Sequence, residues 1–305
     1  MKMRRSKLFI YEHGVCGEKI PDEIAIEGVA MFKSLLSFDR YFDLISFVRD
    51  DFLSVFPFGS GSFKECLEIC DKAIVVAPED GFTLLNLTKE IEKAGVENLG
   101  SSSKAIEITS DKWKTFKKIK DKVATPKTSL KPLDCEYVVK PRVSCGGSGI
   151  RVGGDVPEGF LAQELIRGKP LSVSLYVDEE IKVLSINEQI LENFSYKGGV
   201  VPAEYNRDVV EAAISSVEAI DGLKGYVGVD IILAEQPFVI EINARLTTPV
   251  IVFEYVYGMS YADIVWNFMN GRDVEIKPKR RVMFYKGYGN GFVTYGKHSI
   301  ILKNL

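Results

Sequence analysis

Gly225-Tyr226-Val227-Gly228-Val229-Asp230-Ile231-Ile232-Leu233-Ala234-Glu235-Gln236-Pro237-Phe238-Val239-Ile240-Glu241-Ile242-Asn243-Ala244-Arg245 reads as two strands joined by a tight turn at Glu235-Gln236. Apolar residues alternate through Val227, Val229, Ile231 and Leu233, and again through Phe238, Ile240 and Ile242, the period of strands with one buried face. Folding the stretch about its turn sets Ala234 opposite Pro237, Ile231 opposite Ile240 and Asp230 opposite Glu241. Glu241 and Asn243 share a face, because side chains alternate along a strand. Three oxygen-bearing side chains therefore converge on one side of the hairpin. Like charges directly opposite each other destabilise a sheet, so Asp230 and Glu241 call for a counter-charge. A hard divalent cation supplies one: Mg²⁺ typically takes one or two carboxylates plus substrate phosphates. The competing account is a pair of solvated carboxylates on an exposed face. Ile232 and Val239, on the same face in this register, favour the cation.

The bulk numbers bound the rest. At 305 residues the chain has room for two or three subdomains and a sizeable core. It is 46% hydrophobic and 27% charged with a formal charge of −3, which directs it toward neither nucleic acid nor a membrane surface. Its longest apolar runs fall short of a membrane span. The start, Met1-Lys2-Met3-Arg4-Arg5-Ser6-Lys7, is basic, but the apolar run after it, Leu8-Phe9-Ile10-Tyr11, stops at Glu12 and reads as a first strand rather than a signal-peptide core. Cys16, Cys66, Cys70, Cys135 and Cys145 are odd in number and scattered, which points to a reducing cytoplasm rather than a disulfide framework. Cys66 and Cys70 lie one helical turn apart, and with only His13 and His298 to complete a zinc set they read as helix-packing residues.

Residues 7–100 alternate strand and helix patterns: strands at 7–12, 42–48 and 72–77, helices at 22–36, 63–70 and 83–94, the last ended by Gly95. Such alternation predicts a parallel sheet with helices packed on it. Ser62 is a candidate N-cap, as are Ser110 and Asp111 before the helix that follows Lys112. Residues 136–190 are strand-rich, with strands at 137–140, 150–152, 160–166, 171–177 and 181–190. A long loop is expected over 192–205, then a helix over 207–220 leading into the hairpin, a helical region over 250–270, and a tail with one short strand at 282–285.

Tyr137-Val138-Val139-Lys140-Pro141 is a strand that ends in a cation and feeds Ser144-Cys145-Gly146-Gly147-Ser148-Gly149. Glycines let backbone N–H groups approach a phosphate closely. No Gly-x-x-x-x-Gly-Lys-Ser/Thr is present, and a strand rather than a helix follows, so this is neither a P-loop nor a dinucleotide fingerprint. A glycine hairpin over phosphates and a plain hairpin loop both fit the stretch. Cys145 has no histidine near it in sequence and reads as incidental.

Together these pieces resemble the ATP-grasp superfamily of carboxylate–amine ligases, in the superfamily's order and over about residues 100–275. By that resemblance Lys112 and Lys140 are the two phosphate-binding lysines, and Ser144, Gly146, Gly147, Ser148 and Gly149 form the loop over the phosphates. Gln163, Glu164, Leu165 and Ile166, in Gln163-Glu164-Leu165-Ile166-Arg167-Gly168, are the hinge strand that holds adenine. Asp230, Glu241 and Asn243 are the magnesium ligands, and Arg245 the phosphate or acyl-phosphate contact. Two positions depart from the common pattern. Pro170 stands where many members carry a ribose-binding glutamate, and Gly228 where many ligases carry an arginine. Ribose must then be held differently, and acyl-phosphate stabilisation rests more on Arg245. Both departures match an archaeal subgroup whose described activity is the ligation of tyramine to L-glutamate in methanofuran biosynthesis.

The resemblance implies an ATP-grasp fold preceded by a small parallel-sheet α/β domain. It assigns 1–100 to that domain, 101–275 to a module with nucleotide between two α+β halves, and 276–305 to a tail packed on the module. It implies ATP as substrate, Mg²⁺ (or Mn²⁺) as metal, small-molecule carboxylate and amine partners, and catalysis by Lys140 and Arg245. Tyr196 and Lys197, before Gly198-Gly199, are candidate acceptor-site residues; a solvated loop is the alternative. A ligase for another amino acid and amine, and a nucleotide-binding regulatory protein without catalysis, remain as alternative functions.

Overall fold

The computed structural model of the protein describes residues 5–205 and 207–305, so residues 1–4 of the basic start lie outside it. The chain divides into two compact units, one drawn from 1–77, 87–100 and 246–305, the other from 78–86 and 101–245.

In the first unit β1 (Lys7–Glu12), β2 (Asp43–Ile45), β3 (Lys72–Val76) and β4 (Glu97–Asn98) form a parallel sheet in the order β2-β1-β3-β4. The apolar run of the first strand fills its centre: Leu8, Phe9 and Ile10 are fully buried. Its helices are α1 (His13–Cys16), α2 (Asp22–Leu35), α3 (Phe63–Ile69) and α4 (Thr83–Ala94), whose first residues are counted with the second unit. Helix α2 follows Pro21, carries Asp22 and Glu23 in its first turn, and buries Ala25, Ile26, Val29 and Phe32. Ser62 caps α3 as expected, accepting from the Glu65 N–H.

The second unit holds two antiparallel sheets. One runs β5-β8-β6-β7, from β5 (Thr128–Ser129), β6 (Tyr137–Pro141), β7 (Arg151–Val152) and β8 (Phe160–Glu164). The other contains β13-β12-β9-β10-β11, from β9 (Lys169–Val177), β10 (Ile181–Glu192), β11 (Ser195–Val201), β12 (Gly225–Leu233) and β13 (Pro237–Asn243). Strand β9 lies between β12 and β10 and fully buries Leu171, Val173 and Leu175. Helices α5 (Ser103–Thr109), α6 (Lys112–Ile119) and α7 (Arg207–Glu218) accompany the sheets.

The decisive hairpin forms, with Gly228 opposite Asn243, Val229 opposite Ile242 and Asp230 opposite Glu241. Its outer end differs from the expected register. The connection is three residues long, Leu233 rather than Ala234 faces Pro237, and Ile240 is the extra residue of a bulge, so that Ile231 faces Val239. One residue more in the turn and one more in β13 cancel before Asp230 is reached. Val239 thereby joins the buried face at 1% exposure, and Ile240 is only half-buried.

The expected loop over 192–205 is a hairpin instead: β10 and β11 meet through Asn193 and Phe194, both with positive φ (49° and 65°). Two left-handed residues suit a two-residue hairpin turn, but the usual signal is Asn-Gly. Phenylalanine at the second position and the Gly198-Gly199 pair disguised the strand. The tail carries three strands rather than one, β14 (Val282–Tyr288), β15 (Val293–Tyr295) and β16 (His298–Asn304), in the order β14-β16-β15 within the first unit. The helical region before it is α8 (Phe253–Tyr257) and α9 (Tyr261–Met269), α9 opening on a Ser260/Asp263 capping box. Among the described residues no helix is long and apolar enough to cross a membrane.

Gly168, where β9 begins, marks a close approach of two backbones: a Cβ there would lie 2.4 Å from the Leu233 carbonyl oxygen. Gly168→Ala should force β9 and β12 apart and lower stability by about 1–3 kcal/mol. Thermal unfolding checks this, and an unchanged midpoint contradicts it.

Candidate active site

Helix α6 is placed by its first turn. Asp111 caps it, accepting from the Trp113 and Lys114 N–H groups at 2.9 and 3.3 Å. The same carboxylate takes Nε of Arg142 at 3.2 Å and pairs with its Nη2, while the Lys112 N–H donates to the Arg142 carbonyl at 2.9 Å. The cap thus ties α6 to the chain leaving β6 and fixes where Lys112 starts. The buried Lys112 ammonium donates to the Ser144 carbonyl at 2.6 Å and contacts the Ser144 hydroxyl at 3.4 Å. It forms an ion pair with Glu241 Oε1 at 3.0 Å.

Lys140, on β6, is 3% exposed. Burial pushes its pKa down to about 8, against the attraction of Glu241. On Lys112 burial acts the same way but is outweighed by Glu241, and the pKa is raised. Asp230 accepts from Gln189 Nε2 at 2.9 Å and from Asn243 Nδ2 at 3.2 Å. Burial, then the facing Glu241 charge, pushes the Asp230 carboxyl up to about 7. Burial works on Glu241 too, yet Lys112 and Lys140 overcome it and hold its pKa low. The opposed pair has resolved its repulsion asymmetrically: Glu241 keeps its charge beside two ammonium groups, and Asp230 is held by amides.

Arg245 lies just beyond β13. Its Nε and Nη2 donate to the two carboxylate oxygens of Glu79, each at 2.9 Å. Burial opposes its charge, but Glu79 outweighs this and raises its pKa. Beside Glu79, the Asp80 carboxylate accepts the Cys145 N–H at 3.0 Å, at the head of the glycine loop. Burial pushes the Cys145 thiol up against the pull of Arg245, consistent with an inert cysteine.

In the loop, Gly146, Gly147 and Gly149 have positive φ. Gly147 is obligatory for a second reason: a Cβ there would lie 2.1 Å from the Phe194 carbonyl oxygen, so the loop rests on the β10–β11 turn. Ser148 turns back with its N–H toward the Cys145 carbonyl at 3.4 Å. On β8, Gln163 is buried and its Nε2 donates to Thr128 at 3.2 Å, while Glu164 accepts the Lys127 N–H at 3.1 Å. Leu165 donates its N–H to the Glu136 carbonyl, and Ile166 follows it beyond the strand. Tyr196 and Lys197 stand in β11 just after the turn that meets the loop; Tyr196 faces Leu191, and Lys197 is the extra residue of a bulge opposite Ile190 and Leu191. Bulges re-aim side chains, often beside active sites.

Lys112, Lys140, Ser144, Asp230, Glu241 and Asn243 are thus brought together. Glu79, Asp80 and Gln189 join them without having been expected. A carboxylate pair shortly after β3 in the chain was a usable signal for the first two. Gln189 reaches Asp230 across β9, which only the sheet register could reveal. Two carboxylates and an amide make a hard oxygen set compatible with Mg²⁺. Among the described residues no cluster of three or more His, Cys, Asp or Glu side chains suited to a metal occurs, so such an ion would need further oxygens from a substrate.

Two lysines, paired acidic residues and a glycine loop between two α+β sheets define a site for an ATP-dependent ligase. The ATP-grasp domain matches residues 109–249, and the pre ATP-grasp 3 domain residues 58–106. The chain is 41% identical over 216 residues to a tyramine–L-glutamate ligase of Methanocaldococcus fervens, covering 69% of this chain and 70% of that one. It is 42% identical over 219 residues to a tyramine–L-glutamate ligase of Methanocaldococcus jannaschii, covering 70% and 67%. A crystal structure from Archaeoglobus fulgidus, assigned to the ATP-grasp superfamily, superposes with a TM-score of 0.91 at 46% identity, over 98% of this chain and 99% of that one. The chain belongs to the ATP-grasp family and is an ATP-dependent ligase.

A carboxyl whose pKa is raised from 3.8 to about 7 binds its proton more tightly in the folded state. Its contribution to stability is present below the unfolded value and lost as pH rises through about 7. Asp230→Asn removes this term. In EDTA its unfolding temperature should gain on that of the wild type between pH 5 and pH 8; a constant difference assigns the slope elsewhere. Lys140→Met should weaken ATP binding much more than adenosine binding, because the ammonium supplies a point charge to phosphate oxygens. Calorimetry decides it: equal loss for both ligands means Lys140 only supports the fold.

Proposed function

We propose that the protein joins L-glutamate to tyramine at the expense of ATP, forming a γ-glutamyl amide. The observation that carries this reading is the 41–42% identity to tyramine–L-glutamate ligases, on a chain whose lysines and acidic residues gather around one glycine loop. In the archaeal subgroup that the sequence resembles, this ligation serves methanofuran biosynthesis, and we extend that role to this chain.

In this reading Lys112, Lys140 and the N–H groups of the glycine loop bind the ATP phosphates, and the strand end at Gln163, Glu164, Leu165 and Ile166 takes the adenine. Asp230, Glu241 and Asn243 would hold Mg²⁺, which when bound supplies charge neutralisation of the phosphates. The γ-carboxylate of glutamate attacks the terminal phosphorus of ATP; the bond to the bridging oxygen breaks, leaving ADP and an acyl phosphate. The tyramine nitrogen then attacks the acyl carbon, phosphate departs, and the nitrogen loses a proton. Arg245 donates to the phosphoryl oxygens as negative charge builds on them. The glycine loop excludes water, which would otherwise hydrolyse the acyl phosphate. Lys112 also pairs with Glu241, so a phosphate that reaches it competes with that carboxylate.

Mass spectrometry of a reaction with ATP, Mg²⁺, glutamate and tyramine tests the proposal. Glutamate alone should give slow ADP release as acyl phosphate decomposes, and tyramine should accelerate it and yield the amide. An amide from another pair only, with none from this one, leaves the ligase and removes the substrate assignment. ATP binding with no stimulation by any carboxylate–amine pair favours a regulatory nucleotide-binding role.

A further inference from the structure

We infer that Glu79 is a positioning residue for Arg245, holding its guanidinium in the orientation in which it meets the transferred phosphoryl group. The inference rests on the reading of Arg245 given above and adds a residue to it.

Arg245 needs holding. The last ladder pair of its hairpin is Gly228 with Asn243, so the arginine extends past the paired part of β13. A long side chain there has rotamer freedom to lose before it can act on a reacting group. Glu79 removes that freedom. Two parallel hydrogen bonds from Nε and Nη2 fix the plane of the fork as well as its distance, which a single contact would not do. Glu79 is itself 4% exposed, and segment 78–86 groups with 101–245 rather than with the sheet it leaves.

The local backbone supports the same role. After Asp80, Gly81 and Phe82 both take left-handed conformations, φ 60° and 58°. A left-handed phenylalanine is uncommon, and such conformations persist where the surroundings demand them. They follow directly on the two residues that meet Arg245 and the Cys145 N–H. One turn thus holds both the arginine and the head of the glycine loop.

The pairing has a chemical consequence. A carboxylate lying flat against the guanidinium cancels most of its net charge, so Arg245 must act through aimed N–H groups rather than through its field. Arg245→Lys keeps the charge and loses the fork, and should not restore function.

The test is a double-mutant cycle with Glu79→Gln and Arg245→Met, read in two ways. One readout is the rate of ADP and amide formation. The other is calorimetric binding of inorganic phosphate to the ADP–Mg²⁺ complex, which does not depend on the substrate pair. Glu79→Gln should lower kcat at least about tenfold with the KM for ATP changed by less than about threefold, because the interaction serves the transition state. Phosphate binding should weaken in parallel. In the Arg245→Met background the same change should cost less than about twofold, since residues that act as a unit are not additive. If Glu79→Gln does not fold, Glu79→Asp keeps the charge and retracts the carboxylate; it should unfold like the wild type yet lose kcat and phosphate binding.

Wild-type kinetics in either variant that folds, or full additivity in the cycle, overturns the inference and leaves Arg245 in place. An Arg245→Met protein with unchanged turnover and unchanged phosphate binding removes the reading of Arg245, and Glu79 with it. If the wild type makes no amide from glutamate and tyramine, the substrate assignment fails, and the phosphate readout still decides the role of Glu79.

Discussion

Two carboxylates stand opposite each other on adjacent strands, and the chemistry around them follows from having to accommodate that. Asp230 and Glu241 repel, and both are taken largely out of water, where repulsion is strengthened. The protein separates their fates. Glu241 stays ionised because Lys112 touches it and Lys140 lies near. Burial and the facing Glu241 suppress the charge of Asp230, against the two amides that donate to it. Lys112 in turn stands where it does because Asp111 caps its helix and binds Arg142 at the end of β6. A charge conflict on one sheet is thus tied to a helix start and a loop on the other.

The same logic runs through the other buried ions. Burying a charge without a partner is costly, and breaking a buried pair leaves that cost exposed. The buried Lys112, Glu79 and Asp111 are each matched, by Glu241, Arg245 and Arg142. Substrate phosphates bring further negative charge, and a divalent ion would bring positive charge. A phosphate brought to Lys112 competes with Glu241 for the ammonium.

Much of the architecture was legible because periodicity is local. β1 and α4 were readable to the residue from apolar spacing, Gly95 and the strand's end at Glu12. The pairing of Asp230 with Glu241 was also readable, although the path to it was not: turn length and bulge erred by one residue each, in opposite senses. What stayed hidden depended on partners far away in the chain. Strand β11 has two glycines in its middle and is a strand because β10 lies beside it. Glu79 and Arg245 are 166 residues apart, and no window of sequence joins them. The lysines could be named because the motifs around them resemble the family's, and Glu241 because the hairpin sets it opposite Asp230; Glu79 could not be tied to Arg245, because that contact is a property of the folded neighbourhood.

The bulge at Ile240 separates the tip of the β12–β13 hairpin from its functional end. Register inside the bulge is set by Gly228, Val229 and Asp230, and register outside it by Leu233 against Pro237. The two halves are joined by a residue that already breaks the alternation. A change in length at Glu235-Gln236 therefore alters the outer rungs without having to flip the inner ones. The connection is a natural place to lengthen the chain: a short flexible insert carrying a reporter group could be accommodated there while the acidic rungs keep their alignment.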